Sequence, residues 1–132
     1  MALELGFIGI VTADLTASIR FYRELGISIP EVAAQEDHVD AKLADGTTLA
    51  WDTTELIQRL DPSYVRPTGG HRIALAFNLG TPAEVDRKYA ELCQAGYQGK
   101  VAPWDAFWGQ RYATVSDPDG NSVDLFALLA TS

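Results

Sequence analysis

The chain has one cysteine, Cys93, only two histidines, and no apolar run approaching the roughly 20 residues that cross a bilayer. A single cysteine excludes an internal disulfide; four residues after Tyr89, Cys93 reads as a small core hydrophobe of a helix rather than a nucleophile. The opening stretch MALELGFIGIVTAD carries neither a basic leader nor a small-residue cleavage signature, so the expectation is a soluble, cytoplasmic protein with no membrane partner. Positive charge is scarce as well. Ten Lys and Arg stand against eighteen Asp and Glu, a formal net charge of −8, which repels phosphate backbones, disfavours nucleic acid as a partner and suits a cationic ligand. Nucleophile elbow, Walker loop, dinucleotide fingerprint and zinc-spaced Cys/His set are all missing.

What remains is ordered globular sequence. The chain has 132 residues, 47% of them hydrophobic, with five Phe, five Tyr and three Trp, enough for the core of one domain.

Two helices stand out. Thr12-Ala13-Asp14 precedes Leu15, Ile19, Tyr22 and Leu25, an apolar stripe at three- to four-residue spacing that ends at Gly26. Thr81-Pro82-Ala83-Glu84 supplies an N-cap, a first-turn proline and a capping-box glutamate ahead of Val85, Tyr89, Leu92 and Cys93, with Gly96 closing. Superposing the two stretches at an offset of 67 residues aligns Asp14 with Thr81, Tyr22 with Tyr89, Glu24 with Glu91 and Leu25 with Leu92. That is the pattern of a duplicated half-length unit. Each helix follows a strand-like run, LGFIGIV or RIALAF, and precedes others: HVDAKLA and TLAWD in the first half, RYATVS and SVDLFAL in the second. Repeats over about 1–60 and 70–132 then make a single domain over 1–132. The connector, about 53–70, begins as a helical turn through Leu56, Ile57 and Leu60 and breaks at Pro62, Pro67, Gly69 and Gly70.

Two βαβββ units in tandem, DLTASIRFYRELGI after the first strand and the closing DPDGNSVDLF together resemble the vicinal oxygen chelate superfamily, which holds glyoxalase I, extradiol dioxygenases and bleomycin-resistance proteins. The resemblance implies an α+β fold in which the two units form a curved mixed-sheet cup around a ligand cavity, commonly in a homodimer. Metal-using members of that family place ligands on the first and last strand of each unit, typically His and Glu. Carried over residue by residue, those positions are Phe7, Ala50, Arg72 and Asp124. Only Asp124 can bind a metal; a guanidinium stays protonated and repels a divalent cation. A slip of one residue would bring in His71, but strand alternation places Arg72, Ala74 and Ala76 on one face and His71, Ile73, Leu75 and Phe77 on the other, the side that lies under a helix. His38 reads as a surface or loop residue, and Trp51, alternating with Ala50, as core.

The expected ligand face therefore carries Phe7, Arg72 and Asp124, with small residues leaving volume around them. Trp104, Phe107, Trp108 and Tyr112, packed into VAPWDAFWGQRY, supply flat apolar surface for stacking or, equally, cover for a core or dimer seam. Asp117-Pro118-Asp119-Gly120-Asn121 reads as turn chemistry. The leading expectation is a metal-independent homodimer that needs no cofactor and sequesters a small aromatic or cationic molecule. The alternative is an enzyme: a metal-dependent glyoxalase-like lyase or dioxygenase, with His71, Asp124 and Asp52 as ligands, or a metal-free lyase or isomerase using Asp124 with Tyr112.

Overall fold

Asp14 adopts an extended backbone and its Oδ1 accepts the Ala17 N–H at 3.1 Å, which satisfies one of the donors that a helix start leaves open. Helix α1 then runs over Leu15–Leu25 until Gly26, at φ +125°, returns its N–H to the Tyr22 and Arg23 carbonyls. In this computed structural model, which describes residues 2–31 and 36–130, the chain forms two compact units, Met1–Thr68 and Gly69–Ser132.

In the first unit, α1 is preceded by β1 (Ile8–Thr12) and followed by β2 (His38–Lys42), β3 (Thr48–Thr53) and α2 (Thr54–Leu60). The sheet order is β1-β3-β2, with β1 parallel and β2 antiparallel to β3. Leu49, Trp51 and Thr53 alternate toward the helix side and are buried. The Trp51 ring lies 5.3 Å from that of Tyr22, which in turn meets Phe21 edge-on at 4.9 Å. All three rings are fully buried, each contributing about 1.5–3 kcal/mol of hydrophobic stabilisation. Among the described residues this unit runs βαββα, so the connector's helical turn is a complete short helix capped by Thr53.

The second unit has the full βαβββ order: β4 (Ala74–Asn78), α3 (Pro82–Gln94), β5 (Gly99–Ala106), β6 (Gln110–Ser116) and β7 (Ser122–Leu128). Its sheet runs β4-β7-β6-β5, parallel between β4 and β7 and antiparallel elsewhere. Thr81 caps α3 through the Glu84 N–H and Pro82 opens it, as the sequence leads one to expect. The Glu84 carboxylate turns to Arg87 instead of reaching back to the cap. Ala113, Val115, Val123, Leu125 and Ala127 bury one face of the sheet, and α3 packs against β5, β6 and β7 through Val85 and Leu92.

Cys93 corrects the expectation of a core residue: it is exposed. At 100° per residue it lies about 100° round the helix from Leu92, on the flank of the stripe that Val85 and Leu92 centre. The Asp117–Asn121 turn holds itself as turn chemistry requires. The buried Asp117 carboxylate accepts the Asp119 and Asn121 N–H groups and the Asn121 side chain, and Gly120 takes φ +87°. Both units are α+β with mixed sheets, and no helix among the described residues is long and apolar enough to cross a membrane.

Candidate functional site

Strand alternation on β7 sends Val123, Leu125 and Ala127 under α3 and leaves Ser122, Asp124 and Phe126 on the opposite face. The ladder sets Thr114 of β6 directly beside Asp124, and Tyr112 beside Phe126. The carboxylate is thereby surrounded by hydroxyls. Asp124 Oδ2 accepts the Tyr112 O–H at 2.6 Å, while Oδ1 accepts Thr114 at 3.0 Å and Ser122 at 3.4 Å. Burial, followed by the hydrogen bond to Asp124 and that carboxylate's charge, pushes the Tyr112 phenol up to about 12, so it stays protonated at neutral pH.

From this acid a file of aromatic rings leads away across the same unit. Tyr112 stacks on Phe126 at 6.3 Å and meets Trp108 edge-on at 5.3 Å; Trp108 meets Trp104 at 5.5 Å and Phe107 at 4.9 Å. The turn joining β5 to β6 carries Phe107 and Trp108, and Trp104 pairs with Tyr112 across the two strands. Irregular pairing near Gly99, Val101 and Trp104 bends this ribbon. Arg111 anchors it by binding Asp86 of α3 at 2.9 Å and Asp105 of β5 at 3.1 Å. Trp104 and Trp108 are 40% and 48% exposed and Phe107 is 91% exposed, so large apolar area faces solvent beside one carboxylate.

Five of the residues singled out from sequence, Trp104, Phe107, Trp108, Tyr112 and Asp124, thus sit together. Arg72 does not join them: it is exposed, lies outside β4, and makes no ion pair among the described residues. Phe7 belongs to the first unit, just before β1, where a Cβ on Gly9 would lie 3.6 Å from its ring. Gly9 sits opposite Ala50, and Ala76 opposite Asp124, which makes Ala50 the counterpart of Asp124. By the same register Phe7 matches Ala74, while Arg72 falls two residues further from its strand. His71 is exposed and also lies outside β4.

The positions that the register equates, Phe7, Ala50, Ala74 and Asp124, therefore hold a phenylalanine, two alanines and one carboxylate whose two oxygens already accept three hydroxyls. That donor set does not fit a divalent metal, which wants three or four converging N, O or S atoms. Among the described residues no group of three or more His, Cys, Asp or Glu side chains is placed to hold one.

His38 is exposed, as expected of a surface residue, but it lies on a strand and has acidic partners. It opens β2 directly opposite Asp52 of β3, the position that corresponds to Tyr112 opposite Phe126 in the second unit. Its Nδ1 lies 2.5 Å from Asp52 Oδ1, and its Nε2 lies 3.4 Å from Asp40 Oδ2. The Asp52 hydrogen bond holds the imidazole above its ordinary pKa, with the partial burial of the ring pulling the other way and Asp40 adding to the rise. Alternation puts His38 and Asp40 on one strand face, and Ala50 and Asp52 on one face of another strand, without pairing the two.

A sequence model described as the Glyoxalase/Bleomycin resistance protein/Dioxygenase superfamily matches residues 4–125. No match is found among curated proteins. Among solved structures, a glyoxalase/bleomycin resistance protein/dioxygenase from Nocardioides is 26% identical, with a TM-score of 0.78 over 100% of this chain and 88% of that one. A glyoxalase-related enzyme from Fulvimarina pelagi is 25% identical, with a TM-score of 0.80 over 96% and 88%. A family enzyme from Burkholderia phytofirmans, 20% identical, shares the fold with a TM-score of 0.83 over 96% and 100%.

Proposed function

Because the chain belongs to the glyoxalase/bleomycin resistance protein/dioxygenase superfamily, we propose that it is a metal-independent binding protein that sequesters a small aromatic or cationic molecule. The observation that carries this reading is the file of rings, Phe107, Trp104, Trp108, Tyr112 and Phe126, ending at Asp124. Ring faces attract flat molecules and cations, and a carboxylate at the end of the file favours positive charge. A net charge of −8 steers such a ligand inward. The same reading takes the protein as cytoplasmic and as a homodimer; light scattering of the purified chain checks the dimer.

Calorimetric titration with a planar aromatic cation such as proflavine tests the reading. Saturable binding at one site per chain, indifferent to chelator and weakened about tenfold by Trp108→Ala, is the expected result. Binding that requires an added divalent metal and vanishes in Asp124→Ala would overturn it.

A second reading, a metal-free lyase or isomerase, is favoured by one observation: the His38–Asp52 pair is a base with its orienting carboxylate. It predicts that His38→Gln abolishes turnover of a carbon-acid substrate while leaving the proflavine titration unchanged.

A further inference from the structure

The donor valences at Asp124 are already spent, and this restricts what a ligand can offer. An ionised carboxylate only accepts hydrogen bonds, and each hydroxyl has one O–H to give. Tyr112, Thr114 and Ser122 all give theirs to Asp124. The indole N–H of Trp108 is committed as well, to Gln110 Oε1 at 2.7 Å. What Tyr112 and Thr114 have left is lone pairs. Donation to a carboxylate polarises the Tyr112 phenol and makes its oxygen a better acceptor than an isolated phenol. Ser122 is buried, whereas Tyr112 is half-buried and sits between Trp108 and Phe126 in the aromatic file.

We propose that this site selects ligands whose positive charge carries N–H, such as a protonated amine, an amidinium or a protonated heteroaromatic ring, and that Tyr112 is the residue that selects them. The inference deepens the binding reading above and rests on it. The ligand N–H donates to the Tyr112 oxygen, whose own proton donates to Asp124, so the acid's charge reaches the ligand through the phenol. A quaternary ammonium has no N–H and gains only the ring faces. A carbonyl or carboxylate would set lone pairs against lone pairs at Tyr112 and Thr114.

The test compares 1-naphthylmethylamine, protonated at pH 7, with its trimethylammonium analogue by calorimetry on the full chain. The amine is expected to bind at least about tenfold more tightly, the scale of one hydrogen bond from a charged donor. Tyr112→Phe should narrow the ratio to within about twofold by weakening the amine alone. If both molecules bind the wild-type protein and the analogue binds as well as the amine, the proposal fails and the binding reading stands. If Tyr112→Phe leaves the ratio intact, the role of Tyr112 is refuted. If neither molecule binds at millimolar concentration, the binding reading fails and the proposal falls with it. The wild-type comparison needs no variant, so a poorly folding Tyr112→Phe protein would not spare the proposal.

Discussion

The Tyr112 hydroxyl gives its proton to Asp124 Oδ2 at 2.6 Å, and both groups lie half-buried on the face of the sheet opposite α3. With the phenol raised to about 12, ionising it would set a phenolate against a carboxylate. In an ultraviolet titration, Tyr112 should still be protonated after an ordinary tyrosine has ionised near pH 10, and Tyr112→Phe should lower the amplitude of the late absorbance change by one tyrosine. The unfolded chain ionises first, so stability present below about pH 10 is lost as pH rises toward 12. A Tyr112→Phe titration that retains the full late amplitude contradicts the assignment.

His38 supplies a second pH signature, at lower pH. Its folded pKa is raised above the ordinary 6.5, so its contribution to stability is complete below that value and is lost as pH rises through the folded pKa. Thermal denaturation should therefore show a midpoint that falls as pH climbs from about 6.5 upward, with Asp52→Asn flattening the slope. A slope that persists unchanged in His38→Gln would show that another group is responsible.

Gly99 stands where a side chain has no room. A Cβ there would come 2.1 Å from the Tyr89 hydroxyl, 2.7 Å from its ring carbon Cζ and 3.0 Å from Cys93 Sγ. Gly99→Ala should cost about 1–3 kcal/mol in urea denaturation, the range for overpacking. In a Tyr89→Ala background that cost should shrink by at least half, because the obstructing ring is gone; additive penalties would show that the strain lies elsewhere.

Local chemistry made much of the fold legible in advance. Asp14 and the Thr81-Pro82 pair announce helix starts because a cap acts within three residues of itself, and the Asp117–Asn121 turn closes on its own side chains. The aromatic cluster was visible for the same reason: Trp104, Phe107, Trp108 and Tyr112 are near neighbours in sequence, so any hairpin there brings their rings together. His38 was opaque because its partner is 14 residues away, and only the β2–β3 register decides whether Asp52 or a neighbour faces it. Asp124 presented the opposite difficulty. Its place on the strand was clear, but the three hydroxyls that engage it come from two strands and could not be counted without the ladder.

The distribution of indoles has an optical consequence. Trp51 is sealed in the first unit, its N–H without a partner among the described residues and Tyr22 beside it, whereas Trp104 and Trp108 stand half-exposed in the second. Emission from the first should be blue and resistant to acrylamide, and emission from the other two red and readily quenched. The molecule thus carries an internal fluorescence standard in one unit and a pair of reporters in the other, so a single spectrum registers events at the aromatic file against a reference on the same chain.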